Sequence, residues 1–138
     1  MTQHSAIRGL GEIALRVTDL DRMQRFYQDA IGLRLFKRFE KAAFFKIADG
    51  YAGHSQVLAL FDRTGDADYA GLSAAATTVD HLAFEIGRED YDAEKKRLEE
   101  CGLTVETAEH AWVRWRSLYV RDPEGNQVEL VCHDETVR

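Results

Sequence analysis

The feature that most constrains this chain is a repeat of about seventy residues. The segments 12–17 (Glu-Ile-Ala-Leu-Arg-Val) and 81–86 (His-Leu-Ala-Phe-Glu-Ile) both alternate apolar residues with other residues. Such alternation is typical of a strand with one buried face. A helical pattern that ends in glycine follows each strand, at Gly32 and at Gly102. Three strand-like runs then complete each half, so each half predicts the order β-α-β-β-β.

The repeat also predicts the organisation of the chain. The later strand-like runs cover 33–39, 43–47 and 56–61 in the first half, and 103–107, 115–120 and 127–131 in the second. We expect one domain over the 138 residues. Its first module covers about 10–62 and its second about 80–133, with a linker rich in Ala, Asp, Thr and Gly at about 63–79 between them.

Charge and composition exclude several classes of partner. Eighteen Lys and Arg stand against 24 Asp and Glu, a net charge of −6, which disfavours nucleic acid and anionic membrane surfaces. No stretch approaches the roughly 20 apolar residues of a membrane helix, and the N-terminus lacks the apolar region of a signal peptide. The two cysteines have no metal-binding spacing and are typical of reduced thiols. We therefore expect a cytoplasmic protein with a small-molecule substrate.

The repeat places three candidate metal ligands at related positions. Glu12 is equivalent to His81, and Ala59 is equivalent to Glu129. All four lie on the strand faces opposite the apolar ones. Imidazole and carboxylate groups are good ligands for Fe, Mn, Ni, Co or Zn, so Glu12, His81 and Glu129 predict a divalent metal site with positions open to water or substrate. The alternative is two solvent-facing glutamates and a structural histidine.

Several motifs resemble the vicinal-oxygen-chelate superfamily, the group of glyoxalases, bleomycin-resistance proteins and extradiol dioxygenases. The opening Glu12-Ile-Ala-Leu-Arg-Val-Thr-Asp-Leu and the later Asp80-His-Leu-Ala-Phe are similar to its two first strands. The stretch Asp122-Pro-Glu-Gly-Asn-Gln-Val-Glu-Leu is similar to its last turn and strand. The resemblance runs from about Gly11 to Val131. It implies the α+β class, with two βαβββ modules forming a curled, mixed eight-stranded trough, helices outside and a divalent metal within.

The resemblance also implies which residues hold the metal. In the family, ligands come from the first and last strand of each module, at the positions of Glu12, Ala59, His81 and Glu129. Glyoxalase I fills all four positions, and Ala59 departs from that pattern. Fosfomycin-resistance enzymes and extradiol dioxygenases use three ligands, at the positions of Glu12, His81 and Glu129, and have His where this chain has Glu12. Short members of the family are often homodimers, and a homodimer is expected here.

Further residues are candidates for the substrate site. Tyr119 matches a site tyrosine of the fosfomycin-resistance enzymes, where a phenol would hydrogen-bond an oxyanion, and its alternative is a core tyrosine. Glu12 or Glu129 is expected to act as a base as well as a ligand, with Glu129 the candidate catalytic residue, since substrate can displace a ligated carboxylate. The remaining candidates for substrate binding are Arg16, Glu85, Ser117, Trp115 and Phe61.

Three functions remain open from the sequence. The first is a metal-dependent enzyme that chelates adjacent oxygens of its substrate, with dioxygenase or lyase and isomerase chemistry. The second is a metal-free binding protein of the bleomycin-resistance kind that sequesters a small molecule, which Ala59 and Glu12 favour and which His81 with Glu129 disfavours. The third is a structural dimer in which Arg16, Glu85, Glu12 and His81 form an ionic network.

Overall fold

The structure is a computed structural model that describes residues 5–73 and 76–138. Residues 74–75 of the predicted linker lie outside the described residues. The chain divides into two compact units, the first up to Gly71 and the second from Leu72 onward. No helix in the described parts is both long enough and apolar enough to cross a lipid bilayer.

In the described residues, eight strands and two α-helices form the two units. The strands are β1 (Glu12–Val17), β2 (Arg34–Arg38), β3 (Ala42–Asp49), β4 (Ser55–Asp62), β5 (His81–Glu85), β6 (Glu106–His110), β7 (Trp115–Arg121) and β8 (Gln127–His133). The helices are α1 (Leu20–Arg25), which continues as a π-helix (Phe26–Ile31), and α2 (Tyr91–Glu100). Short 3-10 helices cover Tyr51–Gly53 and Arg88–Asp90.

Each unit contains one mixed four-stranded sheet. The strand order is β1-β4-β3-β2 in the first unit and β5-β8-β7-β6 in the second. In both units the first and last strands pair in parallel, and the other neighbours pair antiparallel. The predicted α+β class with two β-α-β-β-β modules is therefore confirmed, and its eight strands form two four-stranded sheets.

The helix of the first unit begins and ends where the sequence predicts. The carboxylate of Asp19 accepts a hydrogen bond from the backbone N–H of Arg22 at 3.1 Å, as an N-cap residue does. The helix ends at Gly32, whose φ of +91° is accessible to glycine at little cost. Met23 and Tyr27 are fully buried and join the core of this unit. The apolar spacing predicts a helix here, but it does not distinguish its π-helical second half from an α-helix.

One strand lies elsewhere than the sequence predicts. The prediction of a strand at 103–107 is wrong, because β6 covers Glu106–His110. The reason is the way α2 ends. Gly102, with φ of +84°, donates to the carbonyl of Glu99, and the N–H of Leu103 donates to the carbonyl of Leu98. This Schellman motif uses Leu103, the first residue of the predicted strand, to complete the helix end.

Candidate functional site

Strand β5 presents its polar residues on one face. Leu82 and Phe84 are buried, while His81 and Glu85 are exposed on the other side of the strand. In the parallel register with β8, Ala83 lies opposite Glu129. His81 is two residues from Ala83, so its side chain lies on the same face and within reach of Glu129.

His81 contacts a carboxylate on each side of its ring. Its Nε2 atom lies 3.2 Å from Oε1 of Glu129, and its Nδ1 atom lies 2.6 Å from Oδ1 of Asp80. The His81 side chain is 40% exposed. The imidazole is thus held at a partly open position beside a buried carboxylate.

Glu129 is a buried carboxylate, with only 4% of the residue exposed. A carboxylate removed from water is costly unless its oxygens are hydrogen-bonded or paired. The hydroxyl of Ser117 donates to Oε2 of Glu129 at 2.5 Å, and Oε1 faces His81. Both oxygens of Glu129 therefore have a neighbour, and the two neighbours lie on the two strands that flank β8.

Tyr119 lies directly opposite Glu129 in the antiparallel register of β7 and β8. Its hydroxyl is 3.0 Å from Nε2 of His110, on β6. Burial raises the pKa of Tyr119, a hydrogen bond with Ser117 opposes the increase, and the negative charge of Glu129 adds to it. Tyr119 is therefore a neutral phenol at ordinary pH, able to donate a hydrogen bond.

The second unit thus carries a row of polar side chains that crosses all four of its strands. The row consists of His81, Glu129, Ser117, Tyr119 and His110. Sequence reasoning named the first four and missed His110. The alternation of residues 106, 108 and 110 would have indicated it, had the strand been placed at 106–110.

A tight turn fixes the register of this row. The turn joins β7 to β8 through Asp122–Asn126, and Asp122 is 4% exposed. One carboxylate oxygen of Asp122 accepts the backbone N–H groups of Glu124 and Asn126, at 3.0 and 2.9 Å. Gly125 takes a φ of +90°, which the turn requires. Because the turn length is fixed, Tyr119 stays opposite Glu129.

The other predicted site residues have separate surroundings. Glu12, Arg16 and Phe61 belong to the first unit, where Arg16 lies opposite Phe61 in the sheet register. The ring of Phe61 packs edge-on against Phe44, with centroids 5.6 Å apart.

Trp115 and Glu85 belong to the second unit and lie outside the hydrogen-bonded row. Trp115 lies beside the exposed Trp112, with ring centroids 6.4 Å apart. Glu85 is exposed at the end of β5.

The described residues contain no cluster of three or more His, Cys, Asp or Glu side chains arranged to hold a metal ion. The pair that they do contain is suited to two positions of a coordination sphere. Nitrogen and oxygen ligands bind such metals at about 2.0–2.2 Å, so two ligands at a right angle lie about 3 Å apart. The 3.2 Å between His81 Nε2 and Glu129 Oε1 matches that spacing.

Comparison with known proteins points to one family. The chain is 26% identical over 125 residues to the glutathione transferase FosA of Serratia marcescens, which covers 90% of this chain and 80% of that protein. The structure of the lactoylglutathione lyase from Agrobacterium tumefaciens is similar, with a TM-score of 0.67 and 29% identity over 93% of this chain and 96% of that one.

A second solved structure gives the same similarity. The fosfomycin resistance protein FosX of Listeria monocytogenes has a TM-score of 0.67 and 26% identity, over 96% of this chain and 98% of that one. The family model described as the Glyoxalase/Bleomycin resistance protein/Dioxygenase superfamily matches residues 9–130. The match covers most of the chain, and this protein belongs to that superfamily.

Proposed function

We propose that this protein is a divalent-metal-dependent enzyme whose small-molecule substrate carries two adjacent oxygen atoms. The observation that carries the proposal is the pair of donor atoms on neighbouring strands, His81 Nε2 and Glu129 Oε1, 3.2 Å apart. Imidazole and carboxylate donors suit Fe, Mn, Ni, Co or Zn. Membership of the superfamily supports the same class of enzyme.

The third ligand in this proposal is Glu12, at the start of β1. It is exposed and occupies the position in the first sheet that His81 occupies in the second. We propose that Glu12 comes to the metal either from the same chain or from a second copy in a homodimer. Three protein ligands leave positions for two substrate oxygens.

The bound metal would act as a Lewis acid that polarises the substrate oxygens. The chain supplies the other groups. Tyr119 is neutral, so its hydroxyl can donate a hydrogen bond to an oxygen that gains negative charge. Glu129 is buried and is proposed as a base as well as a ligand, since substrate can displace a ligated carboxylate. Arg16 and Glu85 are proposed to bind polar groups of the substrate, and Trp115 and Phe61 to contact its apolar part.

Metal content of the purified protein tests this proposal. We expect protein purified without a tag or chelators to contain near-stoichiometric Fe, Mn, Ni, Co or Zn by plasma mass spectrometry. His81→Ala and Glu129→Gln should each lose the metal. His133→Ala is the matched control, because His133 also faces a glutamate at 3.2 Å, that of Glu135, but both side chains are exposed. Loss of metal in this control would contradict the assignment to His81.

The relatives define the first substrates to test on the metal-loaded protein. Fosfomycin with and without glutathione follows from the names of FosA and FosX, and formation of lactoylglutathione follows from that of the lyase. Oxygen uptake with catechols tests dioxygenase chemistry. We expect one of these activities in the wild type and its loss in His81→Ala.

A metal-free binding protein is the second candidate, and the first unit favours it. The positions of its sheet that match Ser117, Tyr119 and Glu129 are Ala42, Phe44 and Ala59, which are all apolar and carry no metal-binding group. In that case the protein would contain no metal even after loading and desalting. A thermal-shift screen would then find a small molecule that stabilises the wild type and His81→Ala equally.

A further inference from the structure

We propose that Asp80 is a positioning residue that holds His81 in the tautomer with its proton on Nδ1, so that Nε2 is presented as a donor atom beside Glu129. This inference rests on the proposed function for its purpose, but the tautomer itself is a property of the metal-free protein. Neither the sequence motif nor the ligand set assigns a role to the side chain of Asp80.

The first argument is the contact between Asp80 and His81. Oδ1 of Asp80 lies 2.6 Å from Nδ1 of His81, a short distance even for a hydrogen bond to a charged group. An ionised carboxylate accepts hydrogen bonds and has none to donate. Oε1 of Glu129 lies farther from the other ring nitrogen, at 3.2 Å, so we infer that the closer Asp80 carboxylate holds the single proton of a neutral His81 on Nδ1, which leaves the lone pair on Nε2.

The second argument comes from the other member of the pair. The hydroxyl of Ser117 donates to Oε2 of Glu129 at 2.5 Å, and Ser117 is fully buried. The hydroxyl of Tyr91 donates to the backbone carbonyl of Ser117 at 3.0 Å, which ties this part of β7 to the start of α2. Oε2 of Glu129 is thus occupied, and Oε1 is the oxygen that faces His81.

These contacts leave His81 and Glu129 with one atom each that can coordinate a metal. With Nδ1 bonded to Asp80 and Oε2 bonded to Ser117, the atoms Nε2 and Oε1 face each other across 3.2 Å. Both carry lone pairs, so their approach is favourable only when a cation or a proton lies between them. A neighbour that fixes the tautomer of a ligating histidine in this way raises metal affinity.

The third argument is the comparison of the two sheets. Asp80 precedes His81, and Gly11 precedes the equivalent Glu12. Ser117 lies opposite Val131, and its equivalent in the first sheet is Ala42, opposite Phe61. The sheet that lacks the buried carboxylate therefore also lacks both orienting side chains. The orienting groups and the donor pair occur together.

Nitrogen-15 NMR of the metal-free protein tests the tautomer directly. Long-range proton–nitrogen correlation spectra, recorded at increasing pH until the His81 signals stop changing, distinguish the two tautomers of the neutral ring, and His81→Asn assigns the signals. We expect wild-type His81 to carry its proton on Nδ1. In Asp80→Ala, a substantial fraction should carry it on Nε2. Asp92→Ala, which removes an exposed carboxylate from α2, is the control and should leave the His81 signals unchanged.

Cobalt binding measures the consequence. Competition with a chromophoric chelator should show that Asp80→Ala binds Co²⁺ about 10- to 100-fold more weakly than the wild type, with Asp92→Ala unchanged. An Nε2-protonated wild type, or the same tautomer or the same Co²⁺ affinity in Asp80→Ala, would overturn the inference. A wild type that binds no Co²⁺ would overturn the proposed function, and the tautomer spectra would then decide the inference alone.

Discussion

The two sheets of this protein have the same topology and register but different side chains at the positions that matter for chemistry. Ala42, Phe44 and Ala59 in the first sheet match Ser117, Tyr119 and Glu129 in the second. The first set is apolar, and Ala59 is completely buried. The second set holds a buried carboxylate with its hydrogen-bond partners.

The helices of the two units also differ, because the helix of the first unit buries more aromatic side chains. The helix of the first unit buries two aromatic rings of its own, Phe26 and Tyr27, which are in edge contact, and Tyr27 packs against Phe45 of β3. Helix α2 of the second unit buries only Tyr91 and Leu98. The first unit is therefore packed mainly by apolar side chains, whereas the second unit, with the same strand order, also contains buried polar groups. A repeated fold does not require a repeated site.

The largest effect is expected when the carboxylate is copied into the first sheet. Ala59→Glu places a charge where Ala42 and Phe44 offer no hydrogen bond. Overpacking and an unpaired buried charge together should reduce the free energy of unfolding by at least about 4 kcal/mol. Urea denaturation measures the loss, and Ala59→Gln separates volume from charge. A stable Ala59→Glu variant would contradict the view that the first sheet cannot accommodate a buried carboxylate.

Truncation in the two cores sharpens the comparison. Phe45 and Val120 occupy equivalent buried positions on β3 and β7. Phe45→Ala should cost about 3–5 kcal/mol. Val120→Ala removes less apolar surface and should cost about 2 kcal/mol. Equal losses in urea denaturation would contradict the view that the first unit depends more on apolar packing.

The ends of the two sheets test electrostatics. Asp62 is the last residue of β4, and Asp134 directly follows β8. Each carboxylate accepts hydrogen bonds from the backbone N–H and the hydroxyl of a threonine two residues later. These hydrogen bonds lower the pKa of both carboxyl groups. Asp134 also accepts from Arg88 and Arg116, at 2.7 and 2.9 Å, whereas the cation beside Asp62 is an exposed lysine, Lys41, at 3.4 Å.

We therefore expect Asp134→Asn to lower the urea midpoint at pH 7 more than Asp62→Asn does. A carboxyl group whose pKa is lowered by folding stabilises the protein above its unfolded pKa, near 4, and loses that contribution as the pH falls through its folded pKa. The difference between wild type and Asp134→Asn should accordingly be full at pH 7 and shrink below pH about 4. A difference that grows on acidification would refute this assignment.

The smallest effect is expected from Tyr119→Phe, which gives the second sheet the residue type found at Phe44 in the first. The variant loses the hydroxyl that contacts His110 at 3.0 Å and should be destabilised by about 1 kcal/mol. Tyr91→Phe, which loses a bond to the carbonyl of Ser117, is the control and should lose a similar amount. A loss in the control alone would indicate that the Tyr119 hydroxyl has no structural role.

Much of the fold could be predicted because alternation and glycine stops are local signals. Strand β1 lies at Glu12–Val17 as predicted, and Gly32 and Gly102 end their helices. The sequence places strand β6 too early because an apolar residue after a helix can either begin a strand or pack at the helix end. Here Leu103 completes the Schellman motif at the end of α2.

The site was predictable where it follows from strand faces. The repeat identified His81 and Glu129, and the structure brings them to 3.2 Å because their strands pair in parallel. Their role as metal ligands, like that of Glu12, stays a prediction. His110 was missed with the strand that carries it, and Asp80 was missed because an exposed residue before a strand has no periodic signal of its own.

The tight turn at Asp122–Asn126 has a consequence for the order in which contacts form during folding. The turn brings Ser117 to Glu129 across a separation of only 12 residues, and the entropy lost in closing so short a loop is small. His81 reaches Glu129 only through the parallel pairing of β5 with β8, which spans α2 and the whole hairpin. We therefore expect the carboxylate to meet its serine early in folding, and the imidazole to arrive last.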